Sequence, residues 1–189
     1  MSTRIQILDA GEQLARARGL EAFSYADLEK AVGIRKASIH HHFKSKADLA
    51  LALIERYSER FADALRDIED AHVTPQERLR AFTGLYRDAL AGGEQVCLCV
   101  AFAAGRESLP GTVALATRSF QEMALAWLEV TFNELNTPEF PDDPQDEAAA
   151  FLALLEGAQI MARGASDPAL FDAAIRPFIR RLGVTGLKA

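Results

Sequence analysis

The sequence has few of the features that build disulfide-linked, membrane or catalytic proteins. Its 189 residues include only two cysteines, Cys97 and Cys99, which excludes a disulfide framework or a cysteine-rich zinc site and favours a reducing cytoplasm. It has no apolar run long enough to cross a membrane, and its N-terminus, charged from Arg4 onward, is unlike a secretion signal. It also has no glycine-rich phosphate-binding loop and no nucleophile elbow. We therefore predict a cytoplasmic protein that is not an enzyme and needs no metal or cofactor.

Strand signals are missing as well, and apolar residues recur at helical spacing along the whole chain. The predicted fold is all-α, with about nine helices. Residues 1–47 are predicted to form a small three-helix domain, and residues 48–189 a larger helical domain. A three-helix domain of this size can bury a core only if its first helix covers the other two.

Several local signals predict where the other helices begin and end. Ser45 is a good N-cap for a fourth helix that extends to about Ala71. A short apolar helix is predicted from Val96 to Ala104, with Cys97 in its first turn. The proline-rich segment NTPEFPDDP, residues 136–144, is predicted to be a loop.

The stretch from Ser24 to Lys46 has the most distinctive pattern in the chain. Ser24 caps a short helix, and Gly33 supplies the positive φ that a sharp turn needs. In the next helix, Ile39 and Phe43 would face the core. The opposite face carries cationic or hydrogen-bonding side chains, namely Arg35, Lys36, Ser38, His40, His41 and His42. This pattern predicts a helix-turn-helix whose second helix enters the DNA major groove.

The distribution of charge agrees with DNA binding, although the chain as a whole carries a net charge of −6. Residues 1–47 contain eight Lys and Arg side chains against five acidic ones, a net +3, which leaves −9 for the rest. A basic module on an acidic body presents only one face to phosphate groups.

The run GIRKASIHHHFKSKADL, residues 33–49, resembles the DNA-binding signature of TetR/AcrR-type transcriptional regulators. The usual form of that signature is roughly G-V-S-K-G-T-L-Y-H-H-F-x-S-K-E-x-L, and the glycine, the lysine, HHF and SK are all in register. His40 stands where the family usually has Tyr. The positions predicted to contact DNA are Arg4, Ser24, Tyr25, Arg35, Lys36, Ala37, Ser38, His40, His41, His42 and Lys46.

The resemblance also implies partners and a mode of action. It implies a homodimer, with the last two helices pairing across the interface, that binds a near-palindromic operator in double-stranded DNA. A small-molecule effector would tilt the fourth helix and release the DNA, so the expected function is that of a ligand-responsive repressor. The predicted helix from Pro144 to Arg163 is apolar over a wide arc, which also favours a C2 dimer. Charge placed at Ala158 or Phe178 is expected to give monomers or insoluble protein.

The three consecutive histidines do not predict a metal site. Successive helix residues point about 100° apart, so one ion cannot bind all three, and metal pairs on helices use i, i+4 spacing. We expect His40 and His41 to face DNA. Lys46, at the start of the fourth helix, is expected to contact a phosphate.

The effector pocket is predicted on the central helices, although core packing explains each aromatic residue equally well. The candidate effector contacts are Phe82, Tyr86, Cys97, Phe102, Phe120, Met123 and Trp127.

The two cysteines have alternative interpretations, as small buried apolar residues or as an electrophile or redox sensor. Two positions apart on a helix, their thiols would point about 200° apart, too far round to bond easily. Only Arg87 or Arg106, brought close by the fold, is expected to lower a thiol pKa. The alternative function is an all-α thiol enzyme or redox protein that uses Cys97 or Cys99.

Overall fold

The computed structural model describes residues 2–135 and 137–183, and the regular structure of these residues is entirely helical. This confirms the all-α prediction. Met1, Asn136 at the start of the predicted loop, and residues 184–189 of the predicted second domain lie outside the described residues. In the part of the chain that is described, no helix is both long enough and apolar enough to span a bilayer. The helices are α1 (Thr3–Arg18), α2 (Tyr25–Val32), α3 (Lys36–His42), α4 (Lys46–Ala71), α5 (Pro75–Ala89), α6 (Leu98–Ala103), α7 (Gly111–Asn133), α8 (Pro144–Ala165) and α9 (Ala169–Arg181).

The caps that the sequence signals predicted are present. The backbone N–H of Ser45 donates to Asp48 Oδ2 at 2.9 Å, and the Asp48 N–H donates back to Ser45 Oγ at 3.1 Å, which fixes the start of α4. Thr74 and Glu77 form the equivalent box before α5. Gly33 ends α2 with φ +75°, in the left-handed region that favours glycine.

The chain folds as two compact units. The first unit contains Met1–Arg60 and Cys97–Phe120, and the second contains Phe61–Val96 and Gln121–Ala189. This division reflects packing. The predicted boundary after residue 47, between a DNA-binding and an effector-binding domain, is a division of function and stays a prediction.

The core of the first unit joins the helix-turn-helix to α1 and α6. Ile7 from α1, Ile39 from α3, Leu53 from α4 and Phe102 from α6 are each fully buried in one apolar cluster. Burial of a side chain of this size contributes about 1.5–3 kcal/mol, and three short helices alone could not supply such a core. The apolar cluster that anchors α3 is therefore shared with α6.

The start of α6 differs from the prediction. The helix spans only Leu98–Ala103, and Cys97 lies before it with φ −52° and ψ 142°. The expectation that Cys97 lies in the first helical turn is therefore wrong. Cys97 occupies the N-cap position.

In the second unit, α8 packs closely on α9, and the Phe151 and Phe178 rings stack with 4.1 Å between centroids. Ala158 and Phe178 are both buried within this unit. Charge at either position would disrupt the protomer itself, so the insoluble protein expected from these substitutions would not report on dimerisation. The exposed apolar side chains on the opposite face of α8 are Ala149, Ala150, Ala153, Ile160 and Met161.

Candidate nucleic-acid interface

The predicted recognition helix α3 has one apolar face packed in the core and an opposite face that is polar and exposed. Ile39 is fully buried and Phe43, which follows the helix, is 3% exposed. The turn at Gly33 sets the angle at which α3 leaves α2. Most of the predicted DNA contacts on this segment are exposed, namely Arg35, Lys36, Ala37, His40 and His41, and the remaining two, Ser38 and His42, are partly buried.

Tyr25 fixes the far end of this helix instead of facing solvent. It is 7% exposed, and its hydroxyl donates to the Phe43 carbonyl oxygen at 3.0 Å. Burial, with a smaller contribution from the charge of Asp48, raises the pKa of Tyr25 to about 12. The ring centroids of His40 and Tyr25 are 4.7 Å apart, so the His40 ring packs against Tyr25 of α2.

The other predicted contacts surround α3 in the first unit. Ser24 is exposed, and its hydroxyl and backbone N–H donate to Asp27 Oδ2 at 2.7 and 2.8 Å. These hydrogen bonds lower the pKa of Asp27. The exposed Arg4 guanidinium lies 5.3 Å from the centre of the Phe43 ring. Arg4 is thus held near the end of α3.

Lys46 is less free than the sequence suggested. Its Nζ lies 5.1 Å from the Phe23 ring centre and 4.0 Å from Glu21 Oε2, with the side chain 30% exposed. A phosphate would therefore compete with Glu21 for this ammonium group. Lys44 was not among the predicted contacts, but it is exposed between α3 and α4. Its positive charge next to the predicted recognition helix could have identified it as a candidate phosphate contact.

The structure brings together part of the predicted effector set. Phe82 stacks on Trp127 with 5.3 Å between ring centroids and 13° between ring planes, and Tyr86 stacks on the same Phe82 ring at 5.3 Å. Trp127 Nε1 donates to Glu69 Oε1 at 2.7 Å. Met123 is a partly buried residue of the same unit. The result is a cluster of stacked aromatic rings with the Glu69 carboxylate at one edge.

The other predicted effector residues, Cys97, Phe102 and Phe120, belong to the first unit. Phe102 is fully buried in the core cluster. Phe120 packs on Tyr57 with 5.5 Å between ring centroids, and the Tyr57 hydroxyl lies 3.4 Å from Cys97 Sγ. No sequence signal indicated this role for Tyr57, because it sits on the apolar stripe of α4.

The thiols of Cys97 and Cys99 lie side by side, with 2.7 Å between their Sγ atoms. Both cysteines are buried. The prediction that the thiols point apart is wrong, because it assumed helical geometry at Cys97. The extended backbone there turns its side chain toward Cys99.

Hydrogen bonds determine the protonation of Cys97. Burial raises the pKa of its thiol, but hydrogen bonds from the Cys99 thiol, the Tyr57 hydroxyl and the N–H groups of Cys99 and Val100 outweigh burial and lower it overall. Burial and the neighbouring thiols raise the pKa of Tyr57, which keeps its proton for donation. These hydrogen bonds, and not the arginine charges expected from the sequence, lower the pKa of Cys97. Arg87 pairs instead with Asp172, with 2.6 Å between Arg87 Nε and Asp172 Oδ1.

The sequence and the fold both match known regulators. Residues 7–53 match the family model described as "Bacterial regulatory proteins, tetR family". The chain is 34% identical over 95 residues to "Transcriptional regulator AcuR" of Cereibacter sphaeroides, covering 49% of this chain and 43% of that protein. It is 32% identical over 79 residues to "HTH-type transcriptional repressor KstR2" of Mycobacterium tuberculosis, covering 42% and 40%. The chain thus spans about two fifths of the length of these curated relatives.

A solved structure matches over nearly the full length. It is described as a transcriptional regulator, TetR family, from Agrobacterium tumefaciens. The two chains are 32% identical, with a TM-score of 0.86, and the match covers 94% of this chain and 96% of that one. The similarity therefore extends through both units.

Proposed function

Because the chain belongs to the TetR family of bacterial regulatory proteins, we propose that it is a homodimeric transcriptional repressor that binds an operator in double-stranded DNA. One observation carries this proposal. The exposed face of α3 presents Arg35, Lys36 and His41 to solvent, while Ile39 anchors the opposite face in the core. A short helix with this division of faces suits insertion in the major groove.

The exposed residues divide by chemistry into base readers and phosphate contacts. Arg35 and Lys36 carry donors that suit the guanine O6 and N7 acceptors, and His41 can reach a base edge beside them. Arg4, Lys44 and Lys46 surround the helix and supply cations for the phosphate backbone. Specificity would then come from α3, and most of the salt-dependent affinity from the flanking cations.

Two copies of α3 would read the two halves of a near-palindromic operator, since a C2 dimer presents the same surface twice. The proposed dimer face is the exposed apolar stripe of α8. Ile160 is 56% exposed and Met161 is 58% exposed, and large apolar side chains at adjacent exposed positions favour burial against a partner. The small Ala residues on the same stripe allow two helices to approach closely.

The proposed effector is a small, largely apolar molecule that binds at the Phe82, Tyr86 and Trp127 cluster. Stacked rings favour a flat or aromatic ligand, and the Glu69 carboxylate at the indole suits one donor group on it. Binding would release the operator. A cytoplasmic location follows from the proposed DNA target. We propose no enzymatic activity, since the relatives are named as regulators.

Salt-dependent DNA binding tests the proposal. Purified protein is titrated with a labelled duplex of random sequence, about 30 base pairs long so that it spans two half-sites, and fluorescence anisotropy is recorded at several salt concentrations. We expect log Kobs to fall linearly with log salt, with a slope of about −0.9 for each phosphate contact. Absence of binding at low salt would contradict the proposal.

A further inference from the structure

The pair of thiols in the first unit is not used by the proposed DNA-binding mechanism. We propose that Cys97 and Cys99 are a redox site, at which a peroxide-class oxidant closes an intramolecular disulfide that lowers the affinity of the repressor for DNA. The effect on DNA rests on the proposed function, whereas the thiol chemistry does not.

The two sulfur atoms are almost close enough to bond. Their separation is 2.7 Å, and a disulfide bond is about 2.05 Å long, so closure requires a movement of about 0.7 Å. Cys97 lies outside the helix at φ −52° and ψ 142°, where its side chain is not bound by the helical register of Cys99. A pair inside a regular helix would lack this freedom.

The surroundings distinguish the two thiols. Cys97 Sγ accepts a hydrogen bond from the Tyr57 hydroxyl at 3.4 Å, and the N–H groups of Cys99 and Val100 stabilise its thiolate. Cys97 is therefore the thiol that ionises and attacks first, and Cys99 is the resolving thiol.

The reaction balances with one peroxide and two thiols. The Cys97 thiolate attacks a peroxide oxygen, the O–O bond breaks, and the leaving alkoxide or hydroxide takes up the proton that Cys97 released. The Cys99 sulfur then attacks the Cys97 sulfenic acid, the S–O bond breaks, and the hydroxyl leaves with the Cys99 proton as water. Two electrons pass from the sulfur atoms to the peroxide, which yields one disulfide.

The effect on DNA follows from what α6 packs against. Leu98 lies between the two cysteines and is fully buried in the same apolar cluster as Ile7 of α1 and Ile39 of the recognition helix. Closing the ring moves the start of α6, and closely packed cores transmit such displacements. We expect oxidation to lower the affinity for DNA by a factor of about five or more.

Mass spectrometry of one peptide tests the thiol chemistry directly. Trypsin cleaves after Arg87 and Arg106, so both cysteines fall in peptide 88–106. The reduced full-length protein is treated with hydrogen peroxide, quenched with N-ethylmaleimide and digested without reductant. The proposal predicts an unalkylated peptide lighter by two hydrogens than the dithiol form. Two maleimide groups, a sulfinic acid on one cysteine or a disulfide between chains would each overturn the proposal.

Variants test the order of attack. In Cys99→Ser, Cys97 should accumulate a sulfenic acid that a 1,3-dione traps, while Cys97→Ser should react far more slowly at Cys99. The reverse order would contradict the assignment. Tyr57→Phe removes one donor to the thiolate. If the thiol pKa rises by one unit, the tenfold loss of thiolate is partly offset by higher nucleophilicity, so disulfide formation should be about threefold slower.

DNA binding is measured on the same samples before and after oxidation. Reduced protein that binds DNA and oxidised protein that binds more weakly would support the coupling. A disulfide that forms without change in affinity would overturn the coupling. If the reduced protein binds no DNA while the disulfide still forms, the proposed function fails and the redox site stands.

Discussion

Arg56 Nη2 donates to Glu12 Oε2 at 2.9 Å and so ties α4 to α1 across 44 positions of the chain. Asp9 accepts from the other terminal nitrogen of Arg56 at 2.8 Å, and Arg60 also donates to Glu12. The Glu12 side chain is only 8% exposed. The same carboxylate also pairs with Arg16 at 3.5 Å. One buried carboxylate therefore pairs with three guanidinium groups, and the two from α4 fix the first helix over the helix-turn-helix.

Removing the charge of Glu12 should destabilise the first unit. Glu12→Gln weakens two charge-assisted hydrogen bonds, and we expect a loss of about 2 kcal/mol in the free energy of unfolding. Urea denaturation followed by circular dichroism measures this loss. The control is Glu55→Gln on the exposed face of α4, which should change stability by less than about 0.5 kcal/mol. Equal effects of the two substitutions would show that the network contributes nothing specific.

Tyr25 should make the protein less stable in alkali. Its pKa is about 12 in the folded protein, against an ordinary value of 10.0, so the folded state holds this proton more tightly than the unfolded state. The contribution is complete below pH 10 and is lost as the pH rises from about 10 to about 12. Tyr25→Phe removes the hydrogen bond, so at neutral pH its free energy of unfolding should be about 1 kcal/mol lower than that of the wild type. This difference in free energy should shrink as the pH rises through the same range. A difference independent of pH would contradict this assignment.

Substitutions in the interface should separate affinity from specificity. Lys46→Ala should weaken operator and non-specific DNA alike and reduce the magnitude of the salt slope by about one. Lys36→Ala or His41→Ala should also alter the sequence preference. The matched charge control is Arg66→Ala on α4 of the second unit, which should leave both properties unchanged. If Lys36→Ala affected all sequences equally, Lys36 would be a phosphate contact and not a base reader.

The dimer can be tested at positions that the fold itself does not need. Ile160→Glu and Met161→Glu each place a charge on the exposed stripe of α8, and sedimentation at micromolar concentration should then show folded monomers. Val73→Glu is the control, since Val73 is 87% exposed in the segment between α4 and α5. A wild-type protein that sediments as a monomer would contradict the dimer proposal outright.

The helices and the helix-turn-helix could be predicted because their signals are local. Ser45 with Asp48, and Gly33 at the turn, depend on residues only a few positions away, and each adopts the predicted geometry. The apolar positions Ile39 and Phe43 were likewise assigned correctly to the core. The hydrogen bond of Tyr25 could not be predicted, because nothing nearby in sequence shows that its hydroxyl reaches the Phe43 carbonyl oxygen.

The parts that the sequence could not predict depend on distant contacts or on small backbone changes. Tyr57 and Cys97 are 40 positions apart, and no periodicity connects them. Ala158 and Ile160 are both apolar residues of α8, yet one is buried and the other exposed, because packing on α9 selects the face. The thiol pair arises from one non-helical residue at Cys97, where no cap signal marks the helix start.

Selection of DNA by the wild-type protein tests the central claim most directly. The reduced protein is incubated with a library of random duplexes, and the bound fraction is sequenced over several rounds. Because two copies of α3 related by a C2 axis are proposed to read the DNA, we expect enrichment of an inverted repeat with half-sites about one helical turn apart or a multiple of it. A bound fraction with the same sequence composition as the input library would contradict it.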